Sequence, residues 1–138
     1  VRILLDTNVV LDFLLQREPF FQNANQIFEA IRARQIVGYV TATTLTNIFY
    51  IARRQTRDIE QARRAVSVTL RVTVICLVDR AILEAAFASG LTDFEDAVQI
   101  ACAIAQDLDG ILTRDRQDFN SSPVPIFSTE DLLQRLNP

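Results

Sequence analysis

Short apolar segments alternate with longer helical patterns along the whole of this chain, and that alternation leaves few folds open. Residues 1–5, 36–40, 72–77 and 110–113 form runs of four to six residues that are apolar at successive positions. A strand apolar on both faces needs cover on both, which is the signature of a parallel sheet between helical layers. Pro125, Ile126 and Phe127 read as a further, short edge strand. The expectation is an α/β/α sandwich around a mostly parallel sheet of four to five strands.

The intervening stretches carry helical periodicity. Val9 to Leu15 opens the first helix, and Arg17-Glu18-Pro19 interrupts it. Phe20, Ala24, Ile27, Phe28 and Ile31 recur at helical spacing. Thr43 or Thr44 is expected to cap a helix burying Leu45, Ile48, Phe49 and Ala52. Asp58 is expected to start another, with Ile59, Ala62, Val66 and Leu70 as its inner stripe. Asp79 caps a helix that runs to Gly90, where a left-handed C-cap fits. Asp93 or Asp96 leads the helix through Val98, Ile100, Ala101 and Ile104, and Ser128 caps a last one through Leu132, Leu133 and Leu136.

With 138 residues, 49% of them hydrophobic, the chain suffices for a single domain over residues 1–138 with a substantial core. No repeat or Pro/Gly/Ser linker divides it. No apolar run approaches the roughly 20 residues of a membrane span. The first residues read directly as a strand, so a cytoplasmic setting is expected. Cys76 and Cys102 lie in apolar runs and read as small core residues.

The chain contains no His, and all 14 of its cationic residues are Arg. Imidazole bases, Ser-His-Asp triads, Schiff-base lysines and Walker lysines are therefore excluded. Chemistry must come from carboxylates, hydroxyls, Arg or a bound metal. The net charge of −3 is uneven. Residues 53–71 hold Arg53, Arg54, Arg57, Arg63, Arg64 and Arg71 against Asp58 and Glu60, a local +4 that leaves −7 elsewhere. An arginine-rich side beside an acidic pocket suits a phosphate backbone meeting metal ions, while a solvated helix with ordinary ion pairs is the plainer alternative.

The acidic residues fall at telling places. Asp6 ends the first strand, Asp115 follows the fourth with Asp118 three residues on, and Asp93 and Asp96 sit at a helix start. Each alone reads as an N-cap or turn residue. Together they collect five carboxylates at the carboxyl end of one sheet, where α/β folds bind ligands. Gathered carboxylates repel unless a cation sits among them, so a divalent-metal site is expected.

Asp6-Thr7-Asn8, Asp93-Phe94-Glu95-Asp96-Ala97 and Thr113-Arg114-Asp115 with Asp118-Phe119, in that order and spacing, resemble the PIN-domain family. The resemblance extends over essentially the whole chain. It implies a PIN-like fold and, from small members such as the VapC-like toxins, a Mg²⁺- or Mn²⁺-dependent endoribonuclease. It further implies a homodimer, an antitoxin partner in a toxin–antitoxin pair, and products with 5′-phosphate and 3′-hydroxyl ends. By resemblance Asp6, Asp96 and Asp115 are the catalytic metal-site residues, with Asp93 and Asp118 as neighbouring carboxylates. Asn8 and Thr113 match polar positions that order the site. Arg53, Arg54, Arg57, Arg63 and Arg64 would track the RNA backbone.

One position departs from the family pattern. A Glu is common early in the helix after the second strand, and here the best match is Asn47. Asn binds a metal-bound water but brings no charge and cannot act as a base. A catalytically weakened or inactive PIN-like module, acting in RNA binding or protein interaction, is therefore the alternative. A phosphoacceptor receiver domain and a dehalogenase-like phosphatase are set aside, because both call for a Lys. The phosphatase also calls for an Asp where Asn8 stands.

Overall fold

A computed structural model describes residues 1–119 and 122–138. Strand β1 (Arg2–Leu5) leads into helix α1 (Thr7–Leu14), then α2 (Phe21–Arg32), β2 (Val37–Thr41), α3 (Ala42–Thr56) and α4 (Ile59–Val72). Next come β3 (Val74–Cys76), α5 (Arg80–Ala88), α6 (Phe94–Ala105) and β4 (Gly110–Leu112). A 3-10 turn at Arg116–Phe119, β5 (Ile126–Phe127) and α7 (Thr129–Leu136) complete the order.

The five strands form one sheet in the order β3-β2-β1-β4-β5, and every neighbouring pair is parallel. β1 is central, with Ile3 opposite Gly38 on one side and Gly110 on the other. Successive strand residues feed opposite cores. Ile3, Leu5, Val40 and Leu112 pack with α1, α2, α3, α4 and α7, whereas Leu4, Tyr39, Cys76 and Ile111 pack with α5 and α6. The uninterrupted apolar runs are explained by this two-sided burial.

The connections cross one face from β1 to β3 and the other from β3 to β4. The strand order therefore reverses between β1 and β4, and a crevice opens beyond their carboxyl ends. Asp6 and Thr113 are the first residues past those ends.

Local chemistry places most boundaries. Asp58, Asp79, Asp93 and Ser128 each accept backbone N–H groups as N-caps of α4, α5, α6 and α7. Gly90, just beyond α5, adopts φ 73°, the left-handed conformation its lack of a Cβ permits.

Three local expectations are corrected. The cap of α3 is Thr41, not Thr43 or Thr44: its Oγ1 accepts the Thr44 N–H at 2.9 Å while its backbone still closes β2. The segment 72–77 is not all strand, because Val72 finishes α4 and only Val74–Cys76 pairs with β2. On α4 the buried positions are Ala62, Ala65 and Thr69, and Ile59 and Leu70 are exposed. Small residues on that face let α3 and α4 approach closely as a hairpin, and the larger side chains are turned outward.

Candidate metal centre at the switch point

Asp6 is the hub of the crevice. Its backbone N–H donates to the Leu112 carbonyl at 2.9 Å, which continues the β1–β4 ladder one residue beyond the strands. Its Oδ1 accepts the Thr7 N–H at 2.8 Å and Nε2 of Gln99 at 3.0 Å, and its Oδ2 accepts the Thr113 hydroxyl at 2.7 Å. Asp6 is buried, and Gln99 and Thr113 are wholly so. Three elements thus fix one carboxylate. Burial of this polar side chain is tolerated because both oxygens accept hydrogen bonds.

Asp93 and Asp96 reach the crevice from the N-terminus of α6. Asp93 caps that helix through the Asp96 N–H at 3.1 Å. Asp96 is itself buried, and its carboxyl is pushed from an ordinary 3.8 up to about 7. Desolvation is the largest cause, followed by the negative charges of Asp93, Asp6, Asp118 and Glu95. Four carboxylates are therefore felt at Asp96.

Asp118 belongs to this group through the 3-10 turn after β4. Asp115 is held by its backbone: its N–H donates to Thr113 Oγ1 at 3.0 Å, and its carbonyl accepts the Asp118 N–H at 3.0 Å. Thr113 thereby ties both Asp6 and Asp115 to the end of β4. The Asp115 carboxylate is exposed and is not among the charges acting on Asp96.

The supporting positions divide. Asn8 makes no bond to Asp6; its Oδ1 and carbonyl accept Arg17 Nη2 at 3.1 and 3.2 Å. Asn47 is half-buried on α3, one turn after Thr44, whose hydroxyl lies 3.2 Å from that of Thr7. Residues three apart share a helix face, so Asn47 is on the crevice side of α3. Glu95, which the sequence did not single out, accepts the Thr7 hydroxyl at 2.8 Å. Gln99 was also missed; a lone amide three residues past Asp96 on an apolar helix face was the available signal.

A second buried carboxylate lies behind the crevice. Asp12 accepts Arg114 Nε at Oδ2 and Nη2 at Oδ1, at 2.8 and 3.3 Å, and its Oδ1 also takes Arg17 Nε at 2.8 Å. An acid inside the run Val9-Val10-Leu11-Asp12-Phe13 announced something of the kind, but its partner Arg114 lies 102 residues away in sequence.

Among the described residues no three acidic or Cys side chains stand as a ready-made ligand cluster. The donor chemistry nonetheless fits a hard divalent cation. The available groups are carboxylate oxygens, with no His in the chain and both Cys buried. Oxygen donors select Mg²⁺, Mn²⁺ or Ca²⁺ over Zn²⁺ or Cu²⁺. The acids gathered about Asp96 and, among the described residues, the unpartnered, buried Oε1 of Gln99 fit the same ion.

The six arginines of residues 53–71 are exposed, and none forms an ion pair among the described residues. Arg63 and Arg64 line a surface recess of about 470 Å³ with Glu60, Gln61 and Ser67. With a helical rise of 1.5 Å per residue, Arg53 lies about 14 Å along α3 from Thr44.

A doubly wound parallel sheet with acidic side chains at its switch point defines the class of fold and site. The sequence pattern of the PIN domain matches residues 2–117, and the chain belongs to the PIN domain family. No curated protein matches it in sequence. Among solved structures it is similar to a DNA-bound VapBC from Salmonella typhimurium, at TM-score 0.70 and 15% identity over 94% of this chain and 98% of that one. A toxin–antitoxin complex from Klebsiella pneumoniae gives TM-score 0.68 and 21% identity over 92% and 97%. VapC20 of Mycobacterium tuberculosis, described as a Sarcin-Ricin loop cleaving toxin, gives 0.67 and 15% over 79% and 86%. At these identities the likeness is one of fold. No helix among the described residues is long and apolar enough to cross a membrane.

Proposed function

We propose that this chain is a divalent-metal-dependent endoribonuclease and the toxin of a toxin–antitoxin pair. The reading rests on one observation above others: at the β1–β4 switch point Asp6 is fixed by Thr7, Gln99 and Thr113, and Asp96 is buried near Asp6, Asp93, Glu95 and Asp118. PIN-domain membership and the structural likeness to a toxin–antitoxin complex and to a toxin that cleaves the Sarcin-Ricin loop favour it.

Asp6, Asp96 and Asp115 would hold Mg²⁺ or Mn²⁺, with Asp93 and Asp118 as adjoining carboxylates. A bound divalent ion lowers the pKa of water and neutralises phosphodiester charge. The chain's own part is orientation. Gln99, Thr7 and Thr113 fix Asp6 so that its lone pairs are aimed before any ion arrives. Thr113 sets the backbone that carries Asp115. Glu95, steadied by Thr7, supplies on α6 the negative charge that Asn47 does not supply on α3. Arg53, Arg54, Arg57, Arg63 and Arg64 would steer and hold the RNA backbone without reading its sequence.

A homodimer belongs to the same reading, and the exposed Leu77 and Phe87 beside α5 offer an apolar face for it. So does a cytoplasmic setting.

Asn47 and the absence of a ready-made ligand cluster favour a second reading, an inactive PIN-like module that binds RNA or protein. Thermal unfolding with and without Mn²⁺ separates the two. An ion that binds only the folded site must raise stability by mass action. Wild type is expected to be stabilised and Asp6→Asn not; equal responses would support the inactive module.

A further inference from the structure

Two arginines share one buried carboxylate at the back of the crevice, and the balance is positive. Arg17 and Arg114 converge on Asp12, which is 2% exposed, and no other acid pairs with either arginine among the described residues. Asp12 takes Nε and Nη2 of Arg114, and Nη1 has no partner among the described residues. The Phe20 ring lies under the same guanidinium, its centroid 3.9 Å away. Arg114 is thus locked in place with donors unspent, a preorganised anchor for an oxyanion.

Its position connects it to the candidate metal centre. Arg114 lies between Thr113, which holds Asp6, and Asp115. Its backbone therefore continues from the crevice, while its guanidinium is turned to Asp12 and Phe20 on the α1–α2 side.

Arg114 also lines a recess of about 340 Å³ between α1, α2 and α7. Pro19 and Phe20 give it an apolar wall. Asn23 and Glu130 stand in the same wall, the amide donating to the carboxylate at 2.8 Å. Glu130 accepts from this amide and from the Thr129 hydroxyl, both neutral donors, so its charge is not spent on an arginine. Its remaining lone pairs are exposed at the recess and can accept N–H donors from a ligand. Among the four RNA bases, guanine alone presents adjacent ring and exocyclic N–H donors on its Watson–Crick edge.

We propose that this recess is a nucleotide subsite for the substrate strand, selective for guanosine. The phosphate sits on Arg114, the base lies against Pro19 and Phe20, and Glu130 accepts from the guanine edge beside Asn23. The inference rests on the nuclease reading, since it names a nucleotide of the substrate strand held outside the acidic crevice, on the face that the Arg114 side chain reaches. It also gives the RNA contacts the base information that the exposed arginines lack.

The test uses the full chain in EDTA, with cleavage silent, and titrates it by NMR or calorimetry with each of the four nucleoside 5′-monophosphates. 5′-GMP is expected to bind saturably and about tenfold more tightly than the others, the discrimination of one good carboxylate–base contact. Glu130→Gln, an exposed and isosteric change, is expected to erase that preference. Arg114→Lys keeps the charge but loses the fork, and is expected to weaken all four nucleotides alike. Equal binding of the four, no saturable binding, or a preference that survives Glu130→Gln would overturn the subsite. Metal-dependent RNA cleavage without GMP selectivity contradicts the subsite alone, and GMP selectivity without cleavage contradicts the nuclease reading alone.

Discussion

The Thr113 hydroxyl donates to Oδ2 of Asp6 at 2.7 Å, joining residues 107 positions apart across the point where the strand order reverses. The same oxygen accepts the Asp115 N–H, so one side chain sets the spacing of two acidic residues. Thr113→Val keeps the shape and removes both bonds. Hydrogen bonds to charged groups contribute about 1.5–3 kcal/mol, and a stability loss at the low end is expected in urea titration, with Mn²⁺ affinity lowered as well. Thr113→Ser should restore affinity; if Val and Ser behave alike, the hydroxyl is not what orients Asp6.

Asp96 carries the cost of its burial first and of the gathered charges second. Asp96→Asn removes a repelled, buried carboxylate without changing volume. The metal-free protein should become more stable, by on the order of 1–2 kcal/mol after allowance for solvent screening. Mn²⁺-dependent stabilisation should vanish. Opposite movements of these two readouts are the signature of a site that gives up stability for binding. A metal-free variant no more stable than wild type would mean that neither burial nor neighbouring charge penalises the Asp96 carboxylate.

Asn47→Glu adds a carboxylate on the crevice side of α3. A rise in Mg²⁺ affinity, read by thermal shift, is expected. No change would mean that the side chain points away from the ion, and that Glu95 alone answers for the missing charge.

The two thiols give a pH prediction independent of the site. Burial pushes Cys76 from an ordinary 9.0 up to about 11 and Cys102 up to about 12, with Cys76 adding to the latter. Raised folded values mean that their contribution to stability is full below pH 9 and is lost as pH climbs through 11. Neither thiol should react with an alkylating reagent at pH 8 in the native protein, and both should react in urea. Rapid native labelling would contradict their burial.

Arg63 and Arg64 are exposed and form no ion pair among the described residues, and reversing both charges should weaken RNA binding while leaving metal binding unchanged. Each lost phosphate contact should flatten the salt dependence by about 0.7 in logarithmic slope for a single strand. An unaltered slope would assign the patch to a protein partner.

The sheet, its layers and most helix starts were legible because they follow from local rules. Doubly apolar runs gave β1, β2 and β4, and Asp58, Asp79, Asp93 and Ser128 were readable as caps because an N-cap is decided within four residues. Thr41 was not, since it ends a strand and caps a helix at once. The inner face of α4 was misjudged because size suggested Leu70, whereas close packing against α3 selected Ala62, Ala65 and Thr69. The acids at the strand ends could be singled out, but their company could not. Gln99 on Asp6, Thr7 on Glu95 and Arg114 on Asp12 join residues 88 to 102 positions apart, and only the folded chain pairs them.

The central claim is that carboxylates at the β1–β4 switch point hold a divalent ion that cuts RNA. Its most direct test is a mixed RNA pool incubated with the purified chain in EDTA, Mg²⁺ or Mn²⁺, with Asp6→Asn in parallel and product ends mapped. Cleavage is expected with either ion, giving 5′-phosphate and 3′-hydroxyl ends, and none in EDTA or with Asp6→Asn. Cutting that persists in EDTA, or that Asp6→Asn leaves intact, would contradict it.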